Sequence, residues 1–224
     1  MSVECRVHPA RPLPSAELVA RYEKLATALV SDVFGRWAGA PGIHPVAGLA
    51  PGRVVAGAAL TVRTRPGDNL VVHKALDLAR PGEVLVVAAG GQTDRAIIGG
   101  LMGRYAAAQG LAAVVVDGAV RDRSDLAEFA PPVFAAGRSH LGPYKNGPGD
   151  LRAPVSVAGL VVHDGDIVVG DEDGIAVVPR DRAEEIVAAA EEKAAAEAAE
   201  SAAIAAGRWD RSWIDAALHV REVR

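Results

Sequence analysis

Two short apolar runs constrain this chain more than anything else in it. VLVVA at Val84–Ala88 and LAAVVV at Leu111–Val116 are apolar at every position, not at alternate ones. A strand with one face in water alternates apolar and polar residues, so runs like these belong in a sheet covered on both faces. Between them lie Gly90-Gly91 and a segment, residues 99–109, that reads as helix. Strand, glycine turn, helix and strand make a βαβ unit with a parallel pair, and an α/β fold follows.

The rest of the chain is read around that unit. Pro14-Ser15 opens a helix with Ser15 as N-cap and Glu17 near the positive end of its dipole. Leu18, Tyr22, Leu25, Leu29, Val33 and Trp37 recur at helical spacing, predicting one apolar face that Gly39 and Pro41-Gly42 end. Residues 53–64 read as a buried strand, and 68–79 as a helix stopped by Pro81-Gly82. The second half turns to short strands at 132–136, 154–157, 160–162, 167–169 and 175–178, with Asp164-Gly165 and Asp173-Gly174 as hairpin-type turn signals. Residues 181–206 form an Ala/Glu helix of about 39 Å at 1.5 Å per residue. Trp209, Trp213, Ile214 and Leu218 then fall on one face of a short helix. A thin helix with an aromatic tail suits a partner subunit as well as its own sheet. The expected organisation is a single α/β domain over 1–207 with a tail, 208–224, as an oligomer contact.

Composition removes several function classes. With one cysteine, Cys5, there is neither a disulfide framework nor a thiolate metal cage. A formal net charge of −4 advertises no nucleic-acid or membrane surface. No apolar run approaches the roughly 20 residues of a membrane span, and MSVECRVHPARPLP lacks the apolar core of a signal peptide. A cytoplasmic protein is the expectation. The six histidines are scattered without ligand spacing, and neither G-x-S-x-G nor H-E-x-x-H occurs. Asp171-Glu172-Asp173 lacks the EF-hand pattern and reads as a solvated hairpin tip.

Three stretches remain for chemistry. Gly90-Gly91 followed by a strand that ends in Asp117 has the outline of a dinucleotide site, but GGQTDRAIIGGLMG is not G-x-G-x-x-G. Gly99-Gly100-Leu101-Met102 puts two glycines at a helix start, where exposed N–H groups and the dipole favour a carboxylate or phosphate; close helix–sheet packing would need the same glycines. Arg121 and Asp122 follow the second apolar run, in VVVDGAVRD, at the carboxyl end of a strand. Arg holds a carboxylate through two N–H groups, and a single Asp suits a water-rich Mg²⁺ better than a caged calcium or zinc.

Taken together these segments resemble the family of 4-hydroxy-4-methyl-2-oxoglutarate aldolase and regulator of ribonuclease activity A. The likeness runs through LATALVSDVFGR, PGRVVAGAALTVRTRPGDN, RPGEVLVVAAGG, IGGLMGRYAAAQGLAAVVVDGAVRD, PPVFAAG and GDIVVGDEDGIAVVP. It implies a single-domain α/β sandwich of the swivelling β/β/α type, with a βαβ unit, a meander-like β half and a long C-terminal helix. It also implies a homotrimer or hexamer with sites between subunits. The implied activity is a lyase, dependent on Mg²⁺ or Mn²⁺, that cleaves a 4-hydroxy-2-oxo acid to pyruvate and a second oxo acid. Oxaloacetate decarboxylation would accompany it. By matching position, Arg121 would bind the pyruvate carboxylate, Asp122 would ligate the metal, and backbone groups of Gly99, Gly100, Leu101 and Met102 would hold the substrate. Glu197, with Glu192 close behind, matches an acid contributed by a neighbouring subunit. Active members carry an acid where this chain has Gly100.

The expected partner is a small oxo acid, with no nucleic acid and no membrane. A non-catalytic regulatory protein of the ribonuclease-inhibitor kind is the alternative, and a nicotinamide enzyme the third reading.

Overall fold

The computed structural model describes residues 3–221. Strand β1 (Cys5–Val7) precedes helices α1 (Ala16–Tyr22) and α2 (Thr27–Val33) and strand β2 (His44–Ala47). The central run is β3 (Val55–Thr64), α3 (Leu70–Asp77), β4 (Glu83–Ala88), β5 (Ala96–Ile98), α4 (Gly100–Ala108), β6 (Ala113–Val120), α5 (Arg123–Phe129) and β7 (Val133–Arg138). Then come β8 (Gly149–Leu151), β9 (Val155–Val157), β10 (Leu160–Val162), β11 (Ile167–Asp171) and β12 (Gly174–Val178). A 3-10 turn, Arg180–Arg182, leads into α6 (Ala183–Ala205), followed by α7 (Ser212–Ala217).

Strands β3, β4, β6 and β7 lie side by side and parallel, as the two continuous apolar runs require. Every residue of β4 and β6 is buried. On one face, Leu76 of α3, Met102 of α4 and Leu126 of α5 pack with Leu85, Val114 and Val116. On the other, Val84, Val86 and Val115 meet Val155, Val157 and Val162 of the small β9–β10 hairpin. A third cluster joins the β11–β12 hairpin to α1, α2 and the start of α6 through Tyr22, Val30, Ile186 and Val187. The architecture is the expected α/β sandwich. Its core rests mainly on small aliphatic groups, each fully buried Val or Leu contributing roughly 1.5–3 kcal/mol.

Several local expectations are corrected. Ser15 does cap α1, accepting from the Leu18 N–H at 3.1 Å. The single long helix expected after it is two helices, however, because the Thr27 N–H at the start of α2 donates to the buried Asp171 carboxylate at 2.7 Å. That capping partner comes from β11, so local spacing could not reveal it. Trp37 lies outside any helix and is 75% exposed. Asp171 is therefore a cap rather than part of a solvated tip, although the β11–β12 turn itself is where Asp173-Gly174 placed it. Asp164-Gly165 makes no hairpin: Asp164 is buried and bonded to Arg152 and to the Arg11 N–H.

The long helix divides in two. Ala183, Ile186, Val187 and Ala190 are buried against its own chain, whereas from residue 195 to 206 only Ala203 is even partly covered. No residue of α7 is buried. Residues 222–224, the end of the predicted tail, lie outside the described residues.

Candidate functional site

Strand β6 carries the site, and it runs further than the sequence indicates. The strand is expected to end at Asp117, where Asp117-Gly118 carries a turn signal, yet β5 pairs with the far end of β6, Ala96 opposite Ala119 and Ile98 opposite Val120. The Arg121 N–H then donates to Ile98 O at 3.0 Å. The three-residue β5, hidden inside what read as a loop, extends β6 past the Asp-Gly signal. The irregularity survives only as a register shift against β7 between Val116 and Ala119.

Directly after β6 the backbone reverses at Asp122, which adopts a left-handed φ of +57° and starts α5. Aspartate tolerates this region better than most residues, but such conformations cost of order 1–3 kcal/mol and persist where surroundings enforce them. Here the enforcement is visible. Asp122 Oδ2 accepts the Gly100 N–H at 3.1 Å, tying the start of α5 to the start of α4. Arg121 Nε lies 3.6 Å from the same oxygen.

The glycine pair at the start of α4 therefore has a definite job. A Cβ on Gly99 would stand 2.5 Å from Asp122 Oδ2 and 3.1 Å from Arg121 Cγ. Gly99 makes room for the Arg–Asp pair, and Gly100 makes room for Asp125, so the close packing expected of these glycines is present. The Gly100 N–H is already taken, while the Leu101 and Met102 N–H groups belong to a first turn that has no intrahelical acceptors. The Leu101 side chain is 84% exposed; Met102 points into the core, its sulfur accepting from Asn69 Nδ2 at 3.1 Å.

A cleft of about 370 Å³ opens at the carboxyl ends of β6 and β7, bordered by Val120, Arg121, Asp122, Arg123, Arg138 and His140. Three arginines and one aspartate border it, and of the three Arg121 lies beside the Asp122 carboxylate. Arg123 Nε is occupied by Val46 O at 3.1 Å. Arg123, Arg138 and His140 were not singled out in the sequence. The signal for Arg138 was its place at the end of an apolar run paired with the one that ends at Arg121.

The donor set fits a water-rich divalent ion. Among the described residues no group of three or more His, Cys, Asp or Glu could cage a metal. Asp122, however, has one oxygen tied to Gly100, and Oδ1 has no protein partner among the described residues. One hard oxygen ligand in a half-exposed cleft matches how Mg²⁺ is held, through one or two carboxylates and several waters.

Glu197 stands apart. It lies on the exposed half of α6, pairs with Lys193 at 3.0 Å and does not border the cleft. Asp117, the acid a nicotinamide site would have needed, is buried. Its burial raises its carboxyl above the ordinary range against the lowering effect of the Ala158 and Gly91 N–H groups. A ribose would have to reach a carboxylate that is 7% exposed. A larger cavity, about 1350 Å³, lies around Trp37, Ile43, Leu160 and Ile175 and is lined by none of Gly99, Gly100, Leu101, Met102, Arg121, Asp122 and Glu197.

Residues 27–177 match the family model described as RraA-like, Aldolase/RraA. A Halalkalibacterium halodurans protein provisionally named 4-hydroxy-4-methyl-2-oxoglutarate aldolase is 39% identical over 150 residues, 67% of this chain and 71% of its own. A Thermus thermophilus protein named 4-hydroxy-4-methyl-2-oxoglutarate aldolase is 38% identical over 112 residues, 50% of this chain and 68% of its own. The crystal structure of Streptomyces coelicolor RraAS2, described as an unusual member of the RNase ES inhibitor RraA protein family, superposes with a TM-score of 0.75 at 29% identity. That match covers 84% of this chain and 96% of the other. The relatives thus include a protein whose description invokes a ribonuclease, a partner class absent from the expected set of a small oxo acid without nucleic acid or membrane. No described helix is long and apolar enough to cross a membrane.

Proposed function

The chain belongs to the RraA-like family, and from that premise we propose that it is a divalent-metal-dependent lyase. It cleaves a 4-hydroxy-2-oxo acid to pyruvate and a second oxo acid, with oxaloacetate decarboxylation as a related activity. The observation that carries this reading is Asp122: one oxygen anchored by the Gly100 N–H, the other without a protein partner among the described residues, beside the Arg121 guanidinium.

Each residue has a role in that chemistry. Asp122 would hold Mg²⁺ or Mn²⁺, which when bound supplies Lewis-acid polarisation of the 2-oxo group. Both reactions leave the enolate of pyruvate, so negative charge grows on that oxygen as the carbon–carbon bond breaks. Arg121 binds the adjacent carboxylate and presents fixed positive charge to the growing one, without reorganisation at the moment of reaction. The Leu101 and Met102 N–H groups offer further donors to the carboxylate end. Glu197 would enter from a neighbouring subunit of a trimer or hexamer.

The test is pyruvate release from 4-hydroxy-4-methyl-2-oxoglutarate and from oxaloacetate, with Mg²⁺ and with EDTA. Asp122→Asn keeps an acceptor for the Gly100 N–H and tolerates the left-handed backbone, so it retains the fold. It should lower turnover by roughly a hundredfold or more. Wild-type protein that releases no pyruvate from either substrate with Mg²⁺ or Mn²⁺ present would refute the lyase reading.

A second reading, a non-catalytic ribonuclease inhibitor, is favoured by Gly100, which offers no carboxylate where active members carry one. Capture of the ribonuclease by Asp122→Asn protein as efficiently as by wild type would support it.

A further inference from the structure

The cleft holds more positive charge than one pyruvate carboxylate can use. Arg121 faces Asp122, and Arg123 is directed onto the Val46 carbonyl. Arg138 has neither an ion pair nor a side-chain hydrogen bond among the described residues, although it borders the same cleft. Its position is fixed by the sheet. Arg138 is the last residue of β7 and lies opposite Val120, the residue before Arg121, and the Ser139 N–H donates to Val120 O at 3.1 Å. Ser139 Oγ in turn donates to Asp94 O at 2.6 Å, so the chain leaving Arg138 is anchored. Two adjacent parallel strands thus deliver one guanidinium each to a single opening. A bound divalent ion would add two further positive charges to a site where, among the described residues, Asp122 is the one lining carboxylate.

We propose that Arg138 is a specificity-determining residue that binds a second, distal carboxylate of the substrate, making the site selective for oxo acids with two carboxylates over those with one. This rests on the reading of the cleft as an oxo-acid site and adds a residue to it. Arg121 takes the carboxylate next to the 2-oxo group, which every substrate of the class has. Arg138 takes the one at the far end, which only dicarboxylates have. A planar guanidinium without a protein partner is suited to that task, because its donors are not already committed to another acceptor.

Calorimetric titration with Mg²⁺ present separates the two roles, using 2-oxoglutarate as the dicarboxylate and pyruvate as the monocarboxylate. Wild type should bind 2-oxoglutarate about tenfold or more tightly than pyruvate. Arg138→Gln should bring 2-oxoglutarate down to the level of pyruvate and leave pyruvate within about twofold; Arg138→Lys should recover part of the difference. Arg121→Gln should weaken both ligands. Equal weakening of both ligands by Arg138→Gln, no weakening of 2-oxoglutarate, or no binding of either ligand to wild type would overturn the proposal. Because the readout is binding, it does not depend on turnover. A protein that discriminates as described yet releases no pyruvate keeps this inference and loses the lyase.

Discussion

The carboxylate of Asp125 occupies the space that a side chain on Gly100 would enter. A Cβ at Gly100 would stand 2.7 Å from both Cβ and Oδ2 of Asp125, with α5 as the immovable wall behind it. Asp125 Oδ2 also faces Arg104 at 3.2 Å, so the carboxylate is held over the start of α4. The absence of an acid at position 100 is thus matched by an acid one turn beyond Asp122.

Gly100→Ala should consequently destabilise the protein by about 1–3 kcal/mol in urea unfolding, although alanine ordinarily favours a helix over glycine. In an Asp125→Gly background the same substitution should become neutral or stabilising, since the obstructing Cβ and carboxylate are gone. A penalty unchanged between the two backgrounds would show that Asp125 is not the obstacle.

Asp171→Ala removes the acceptor for the Thr27 N–H and for the Asp173 N–H, at 2.7 and 2.9 Å. One bond caps α2 and the other closes the β11–β12 turn, so the loss should be about 1–2 kcal/mol. Asp171→Asn, which keeps an acceptor, should lose less. Urea midpoints for the pair measure the difference.

How much of this was legible follows from where each signal sits. The runs at Val84 and Leu111 state their own environment, since every residue in them must be covered, and the parallel sheet followed. Ser15 and Asp173-Gly174 act on neighbours within a few residues, and they too could be read. Asp171 could not, because its capping partner is 144 residues away. Asp117-Gly118 misled because a three-residue strand, too short to show a period, overrode a turn signal. Arg121 and Asp122 gained meaning from resemblance, while Arg138 needed the sheet to bring β7 beside β6. Helix α5 was missed because only Leu126 of its seven residues is buried, which leaves no apolar face to read.

A buried charge cluster predicts acid sensitivity. Burial alone would raise the Glu83 carboxyl, but hydrogen bonds from Arg152 and Arg80 outweigh it and hold the group below its ordinary 4.5. The unfolded chain therefore binds this proton at higher pH than the folded one. Stability present above about pH 4.5 is lost as pH falls towards the lowered value. Asp164, on the same Arg152, is pushed upward by its own burial, so within this cluster Glu83 carries the acid loss. Glu83→Gln should cost about 3–5 kcal/mol near neutrality, as breaking a buried pair does. It should also flatten the decline below pH 4.5; urea titrations from pH 3 to 7 would show an unchanged slope if Glu83 were not responsible.

From residue 195 to 221 no residue is buried within one chain, and the segment carries Trp209 at 39% exposure, Trp213 at 63% and Leu218 at 59%. Two exposed tryptophans four residues apart, with an exposed leucine nearby, are typical of contact sites. If this segment is the oligomer contact, replacing both tryptophans should separate assembly from folding. Trp209→Ser with Trp213→Ser should leave the unfolding free energy of the isolated subunit within about 0.5 kcal/mol of wild type, since neither side chain packs in the core. The same variant should shift the mass in sedimentation from trimer or hexamer towards monomer. It should also lower any activity that depends on Glu197 from a neighbouring α6. An unchanged assembly mass would place the contact elsewhere on the chain.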